Sequence, residues 1–175
     1  MLLGNVLCID EATNFRSLRK EYANFSQVFD EIIEFMKSDM NSSYRISVGT
    51  DSQVRSKTIF VTCIHIHRLG KGAIGFLHKS EIPRSIRNLR EKIYIETCTS
   101  LQLAYLFDEE KMKRIQQVVG KKVSFEFHID VGTKGQTKTL INEMVGMVQG
   151  LNFIPKIKPD SYCASCFADK YTKAM

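Results

Sequence analysis

Tyr44-Arg-Ile-Ser-Val-Gly-Thr-Asp51 decides how the rest of the chain is read. Ile46, Val48 and Thr50 alternate with Ser47, Gly49 and Asp51, the two-residue period of a strand, and the segment ends on a carboxylate. Downstream, residues 58–67 form a second run rich in β-branched residues. Arg68-Leu-Gly-Lys-Gly72 is a glycine turn, and residues 73–79 return as a third strand, so residues 44–79 read as an antiparallel meander. Upstream, Phe25, Val28, Phe29, Ile32, Ile33 and Met36 recur at helical spacing opposite Glu31, Glu34 and Lys37, which predicts an amphipathic helix over 25–37. Residues 1–24 are an N-terminal extension with no element assigned.

Beyond the meander, Pro83 is read as the start of the longest helix, reaching about Phe107. Its inward stripe is Ile86, Leu89, Ile93, Glu96, Ser100, Leu103 and Phe107, which puts Glu96 among apolar neighbours. The charged stretch 108–121 extends that helix or connects it to the next strand, 123–130, which ends on Asp130. A helix over 136–148, a short strand over 152–158 and a last helix over 160–171, opened by Asp160, complete the chain. The resulting string is an extra N-terminal helix followed by β-β-β-α-β-α-β-α. That is an α/β domain over 25–175 with a mixed five-stranded sheet and helices on both faces.

A length of 175 residues suits one domain with a substantial core. Lys plus Arg outnumber Asp plus Glu by 25 to 19, and if several acids are gathered in one site the remaining surface is more basic still, which favours a polyanionic partner. The N-terminal apolar run has no basic residue before it and no small-residue cleavage site after it, so it does not read as a signal peptide. No stretch approaches the roughly 20 apolar residues that span a bilayer. Five cysteines, an odd number scattered through apolar segments, read as reduced thiols in a cytoplasmic protein. Cys163 and Cys166 form a lone CxxC without a second ligand pair for zinc.

Asp51, Glu96, Asp130 and Asp160 are the candidate catalytic and metal-ligating residues. A carboxylate at a strand end or on a buried helix face is costly to desolvate without a cation or hydrogen bonds. Four such placements suggest a shared metal site. Phosphoryl chemistry with two metals needs carboxylates converging on divalent ions about 3.5 to 4 Å apart. Oxygen ligands without a Cys or His cluster indicate Mg²⁺ or Mn²⁺, two ions being expected, and no small organic cofactor. Singly, each acid has a structural explanation: Asp51 as a turn residue, Asp160 as a helix N-cap, Glu96 as the partner of a buried cation.

The segments Val48-Gly-Thr-Asp-Ser-Gln53, His67-Arg-Leu-Gly-Lys-Gly-Ala73, His128-Ile-Asp-Val-Gly132 with Thr137-Lys138, and Ile157-Lys-Pro-Asp-Ser-Tyr-Cys-Ala-Ser165 with Ala168-Asp-Lys170 resemble the bacterial YkuK-type proteins, a ribonuclease H-like family. The resemblance covers roughly residues 25–173. It implies a ribonuclease H fold, with Asp51, Glu96 and Asp130 as the acidic core and a fourth acid from the last helix. Asp160 and Asp169 compete for that fourth place. Asp160, followed by Cys163 and Ala164, fits better, because Asp169 lies nine residues on, about 900° around a helix and so on its opposite face.

Five further residues are candidates for substrate binding. Ser52 follows Asp51, and His128 shares a strand face with Asp130, although a partly buried, hydrogen-bonded histidine is the plainer reading. Lys134 and Lys138 lie in Gly132-Thr-Lys-Gly-Gln-Thr-Lys138, a strand-to-helix joint whose free N–H groups favour an anion. Arg87 belongs to a basic group with Arg84, Arg90 and Lys92 near the long helix's start. With no tryptophan and no paired RNA-stacking aromatics, backbone contacts are expected rather than base reading. The expected function is a two-metal nuclease acting on RNA, an RNA–DNA hybrid or structured DNA. The alternative is a non-catalytic nucleic-acid-binding or protein-interaction module that keeps the fold, against which a dense negative cluster counts. The sequence leaves the oligomeric state open.

Overall fold

A computed structural model of the protein describes residues 7–163 and 165. Its elements are β1 (Phe15–Arg16), β2 (Glu21–Tyr22), α1 (Phe25–Lys37), β3 (Tyr44–Val54), β4 (Thr58–Arg68), β5 (Gly72–Ile82), α2 (Leu89–Leu106), α3 (Glu109–Val119), β6 (Val123–Gly132), a 3₁₀ helix (Gln136–Leu140), α4 (Ile141–Gly150) and β7 (Pro155–Lys158). One sheet runs in the order β2-β1-β5-β4-β3-β6-β7. The predicted meander is β3–β4–β5, antiparallel throughout, and β6 and β7 join β3 in parallel. The five predicted strands are therefore present with β3 central. The sheet itself has seven, and this corrects the five-stranded expectation.

The two additional strands come from the N-terminal extension. Arg16 pairs with Leu77 of β5, and Phe15 and Tyr22 are buried in the main core. Strands of two residues carry no readable period, so only the tertiary contact reveals them. A second correction concerns α2, which starts at Leu89 and not at Pro83. Asn88 caps it, its side chain accepting from Glu91 N at 2.9 Å. A side-chain acceptor for an otherwise unpaired N–H sets the helix start there, and Pro83 belongs to the connection from β5. Asp108 likewise caps a separate helix, α3, within the stretch left between extension and connection.

α1 follows its pattern closely. Asn24 accepts from Gln27 N at 3.0 Å, and the stripe Phe25, Val28, Phe29, Ile32, Ile33 and Met36 is buried. That stripe joins Ile46, Val48, Ile64 and Ile66 of the meander and Ile93 and Leu103 of α2 in the main core. Below the apolar layer α2 meets the sheet through hydroxyls. Ser100 Oγ donates to Thr50 Oγ1 at 2.8 Å, and Thr50 and Thr62 share a hydrogen bond of 3.1 Å. Buried hydroxyls that satisfy one another fix the rotation of α2 over β3, because a turned helix would leave them unpaired. The opposite face of the sheet is smaller and more polar, with Val61, Cys63, Leu77 and Cys163 as its apolar cluster.

Candidate carboxylate site

Three strands, β3, β6 and the edge strand β7, run in parallel on one side of the sheet, and their C-terminal ends define the site. Gly49 pairs with His128, and Asp51 and Asp130 lie two residues further along β3 and β6. The β6–β7 register then shifts, four residues of β6 spanning two of β7 between the pairs His128↔Lys156 and Gly132↔Lys158. Asp130 sits within that irregularity, between the two flanking pairs. Glu96 comes from α2, packed over β3, and is 3% exposed.

The cluster is held by short local bonds. Ser52 N donates to Asp51 Oδ1 at 2.8 Å, and Ser52 Oγ donates to Glu96 Oε1 at 2.6 Å. Ser52 thus ties the β3 acid to the helix acid. Lys92, one turn before Glu96 on α2, places Nζ 3.8 Å from Oε1, while Oε2 is buried without a hydrogen-bond partner. On the far side, Lys158 Nζ is 2.7 Å from Asp130 Oδ1.

The electrostatics follow from burial and from crowding. Desolvation, then the Asp130 charge, pushes the Asp51 carboxyl up to about 6. Desolvation dominates at Glu96 and pushes it up to about 8, with Lys92 and the Ser52 hydroxyl opposing and the charges of Asp51 and Asp130 adding. The Lys158 ammonium is held above its ordinary value by Asp130 first, and by Asp51 and Glu96 in addition. Five groups on four elements, Asp51, Glu96 with Lys92, Asp130 and Lys158, are therefore within reach of one another's charge.

Asp51, Glu96 and Asp130 are brought together, whereas Asp160 is exposed in the turn after β7, its N–H donating to Ile157 O at 2.8 Å. Asp169 lies outside the described residues. Among the described residues, no three His, Cys, Asp or Glu side chains stand ready-made as a metal cage. The donor set nonetheless suits a hard divalent cation: carboxylate oxygens, two of them buried without a hydrogen bond, Glu96 Oε2 and Asp130 Oδ1, the latter with only the Lys158 ammonium against it, while desolvation and crowding keep Asp51 and Glu96 from ionising freely.

The remaining candidates are dispersed. His128 is 3% exposed, and its Nδ1 accepts from Cys163 N at 3.1 Å. Nε2 therefore carries the proton of the neutral ring and faces Glu126 Oε2 at 3.1 Å, so both nitrogens are engaged within the protein. Arg87, Lys134 and Lys138 are exposed, Arg87 in the connection before α2 and Lys138 on the 3₁₀ helix. Of the basic group around Arg87, Arg84 pairs with Glu91, Arg90 with Glu143 at 2.7 Å, and Lys92 turns inward to Glu96. Lys158 is a site residue without a counterpart among the sequence candidates, and Lys92, expected in the outward basic group, faces Glu96 instead. Lys92 is legible in retrospect as the i−4 neighbour of a buried acid. Lys158 has no local signal, because its partner lies on another strand.

A central strand flanked by an antiparallel meander on one side and parallel crossover strands on the other, with acids at the parallel ends, is the framework of one large class of folds. Residues 27–173 match the family model Ribonuclease H-like, and the chain belongs to that family in its YkuK-type form. It is 41% identical to the Uncharacterized protein YkuK of Bacillus subtilis (strain 168), with 91% of this chain and 96% of that protein covered. No solved structure matches significantly. No helix among the described residues is long and apolar enough to cross a membrane.

Proposed function

We propose that the protein is a metal-dependent nuclease that hydrolyses phosphodiester bonds in RNA, RNA–DNA hybrid or structured DNA. In this reading Asp51, Glu96 and Asp130 hold Mg²⁺ or Mn²⁺. Asp160 supplies the fourth acid, since it follows Lys158 by two residues and lies within about 7 Å of backbone from it. The observation that carries the reading is Glu96: a fully withdrawn carboxyl with one oxygen tethered to Ser52 and the other without a partner, beside two further acids. A purely structural acid in that position costs stability with no return.

Bound divalent ions supply an activated water and stabilisation of the leaving oxygen. The chain's own residues prepare for them. Ser52 orients one oxygen each of Asp51 and Glu96, the α2 packing excludes water from Glu96, and Lys92 offsets part of the charge without reaching a close ion pair. Arg87, Lys134 and Lys138 are exposed cations suited to phosphate backbone contacts. The competing reading, a binding module without catalysis, has one observation in its favour: two lysines already stand against Glu96 and Asp130.

A labelled panel of single-stranded, duplex, hybrid and junction substrates decides between them. The nuclease reading expects cleavage only with Mg²⁺ or Mn²⁺, leaving 5′-phosphate and 3′-hydroxyl ends, and a loss of about 100-fold or more in Asp51→Asn with the fold intact. Binding without cleavage of any substrate at millimolar metal overturns it.

A further inference from the structure

Lys158 is placed with more care than a surface lysine needs. Its backbone pairs with Gly132, and a Cβ on Gly132 would meet Lys158 Cβ at 3.2 Å and Cδ at 3.6 Å. The aliphatic stem thus lies against Gly132, where a Cβ would crowd it, and Nζ ends 2.7 Å from Asp130 Oδ1. The side chain is still 49% exposed, so it can swing toward solvent without unpacking any core. Lys92 differs: it is 21% exposed, on the same helix as its acid, and 3.8 Å away.

The geometry points to the Lys158 ammonium as a resident counter-cation that holds Asp130 in the metal-free protein and competes with a divalent ion for it. The inference rests on the metal-centre reading above and adds a regulation of it. An ammonium and a divalent ion held on one carboxylate repel each other, so each lowers the other's occupancy there. Loading of the centre at Asp130 is therefore favoured when Lys158 is drawn away, and its exposed path, with a substrate phosphate as the alternative partner, allows that. The raised ammonium pKa, to which Asp130, Asp51 and Glu96 all contribute, agrees with a cation shared by the whole cluster.

Calorimetric titration of Mn²⁺ into the full chain at constant pH and ionic strength, alongside metal-free melting, tests this. Lys158→Met is expected to bind Mn²⁺ about tenfold more tightly, or to take up an additional equivalent, while melting lower than wild type when metal-free. Lys158→Arg keeps the cation and should titrate like wild type. Gly132→Ala displaces the lysine stem and should shift affinity the same way, by less. If wild type binds Mn²⁺ and Lys158→Met binds it equally or more weakly, the counter-cation is overturned and the metal centre stands. If neither protein binds Mn²⁺, the metal-centre reading falls and this inference falls with it.

Discussion

Glu126 and Glu96 are both carboxylates withdrawn from solvent, one on β6 and one on α2, and the protein treats them in opposite ways. Glu126 has a partner for each oxygen: Arg45 Nε at 3.3 Å from Oε1 and His128 Nε2 at 3.1 Å from Oε2. His128 passes the connection on by accepting from Cys163 N, so β3, β6 and the segment after β7 are joined by a polar chain in which Arg45 Nε meets Glu126 as an ion pair without a hydrogen bond. Glu96 has a hydroxyl on one oxygen and nothing on the other, and it faces two acids. Buried polar groups in a finished structural network find partners. The contrast separates a fastening from a site kept open for something else.

The largest expected effect breaks the comparison at its open end. Asp51 and Glu96 have raised folded pKa values, about 6 and about 8, so the folded protein holds protons that the unfolded chain releases near pH 4. Their contribution to stability is fully present below about pH 4 and is lost as pH rises through those folded values. The metal-free protein is therefore expected to lose stability between pH 5 and 8, with Glu96 accounting for an effect on the order of a few kcal/mol. Denaturant melts across that range check it. Glu96→Gln should flatten the slope, and an unchanged slope in that variant would place the strain elsewhere.

At the closed end, His128→Ala removes the acceptor for Cys163 N and a partner of Glu126, and should cost about 2 kcal/mol in urea unfolding while leaving Mn²⁺ affinity unaltered. A loss of Mn²⁺ binding without loss of stability would move His128 into the site. The smallest effect concerns the exposed cations. Arg87→Ala and Lys134→Ala should each lower the salt slope of nucleic-acid binding by about 1 with metal affinity unchanged, read by filter binding. Unchanged slopes in both would direct the substrate across another face.

How much of this was legible varies with how local the cause is. The alternation of residues 44–51 and the stripe through Glu96 place two acids by side-chain period alone, and Asp130 is recognisable as a carboxylate near the end of an apolar strand. The start of α2 was misjudged because Pro83 and Asn88 are both start signals, and the choice between them depends on where β5 stops pairing, at Ile82. The hairpin of β1 and β2 was missed because two residues form a strand only when an existing edge accepts them.

The amino-acid sequence by itself thus determined the family, the central strand order of meander and crossovers, and the residue types at the site, because hydrophobic period and motif are properties of neighbouring positions. Tertiary structure alone decided which groups on different elements stand against the acids. The Ser52 bond to Glu96, the approach of Lys158 to Asp130 over Gly132, and the ion pair of Arg45 with Glu126 all join residues on different elements. Contacts of that kind depend on strand register and helix rotation, and those are set by the packing of the whole core.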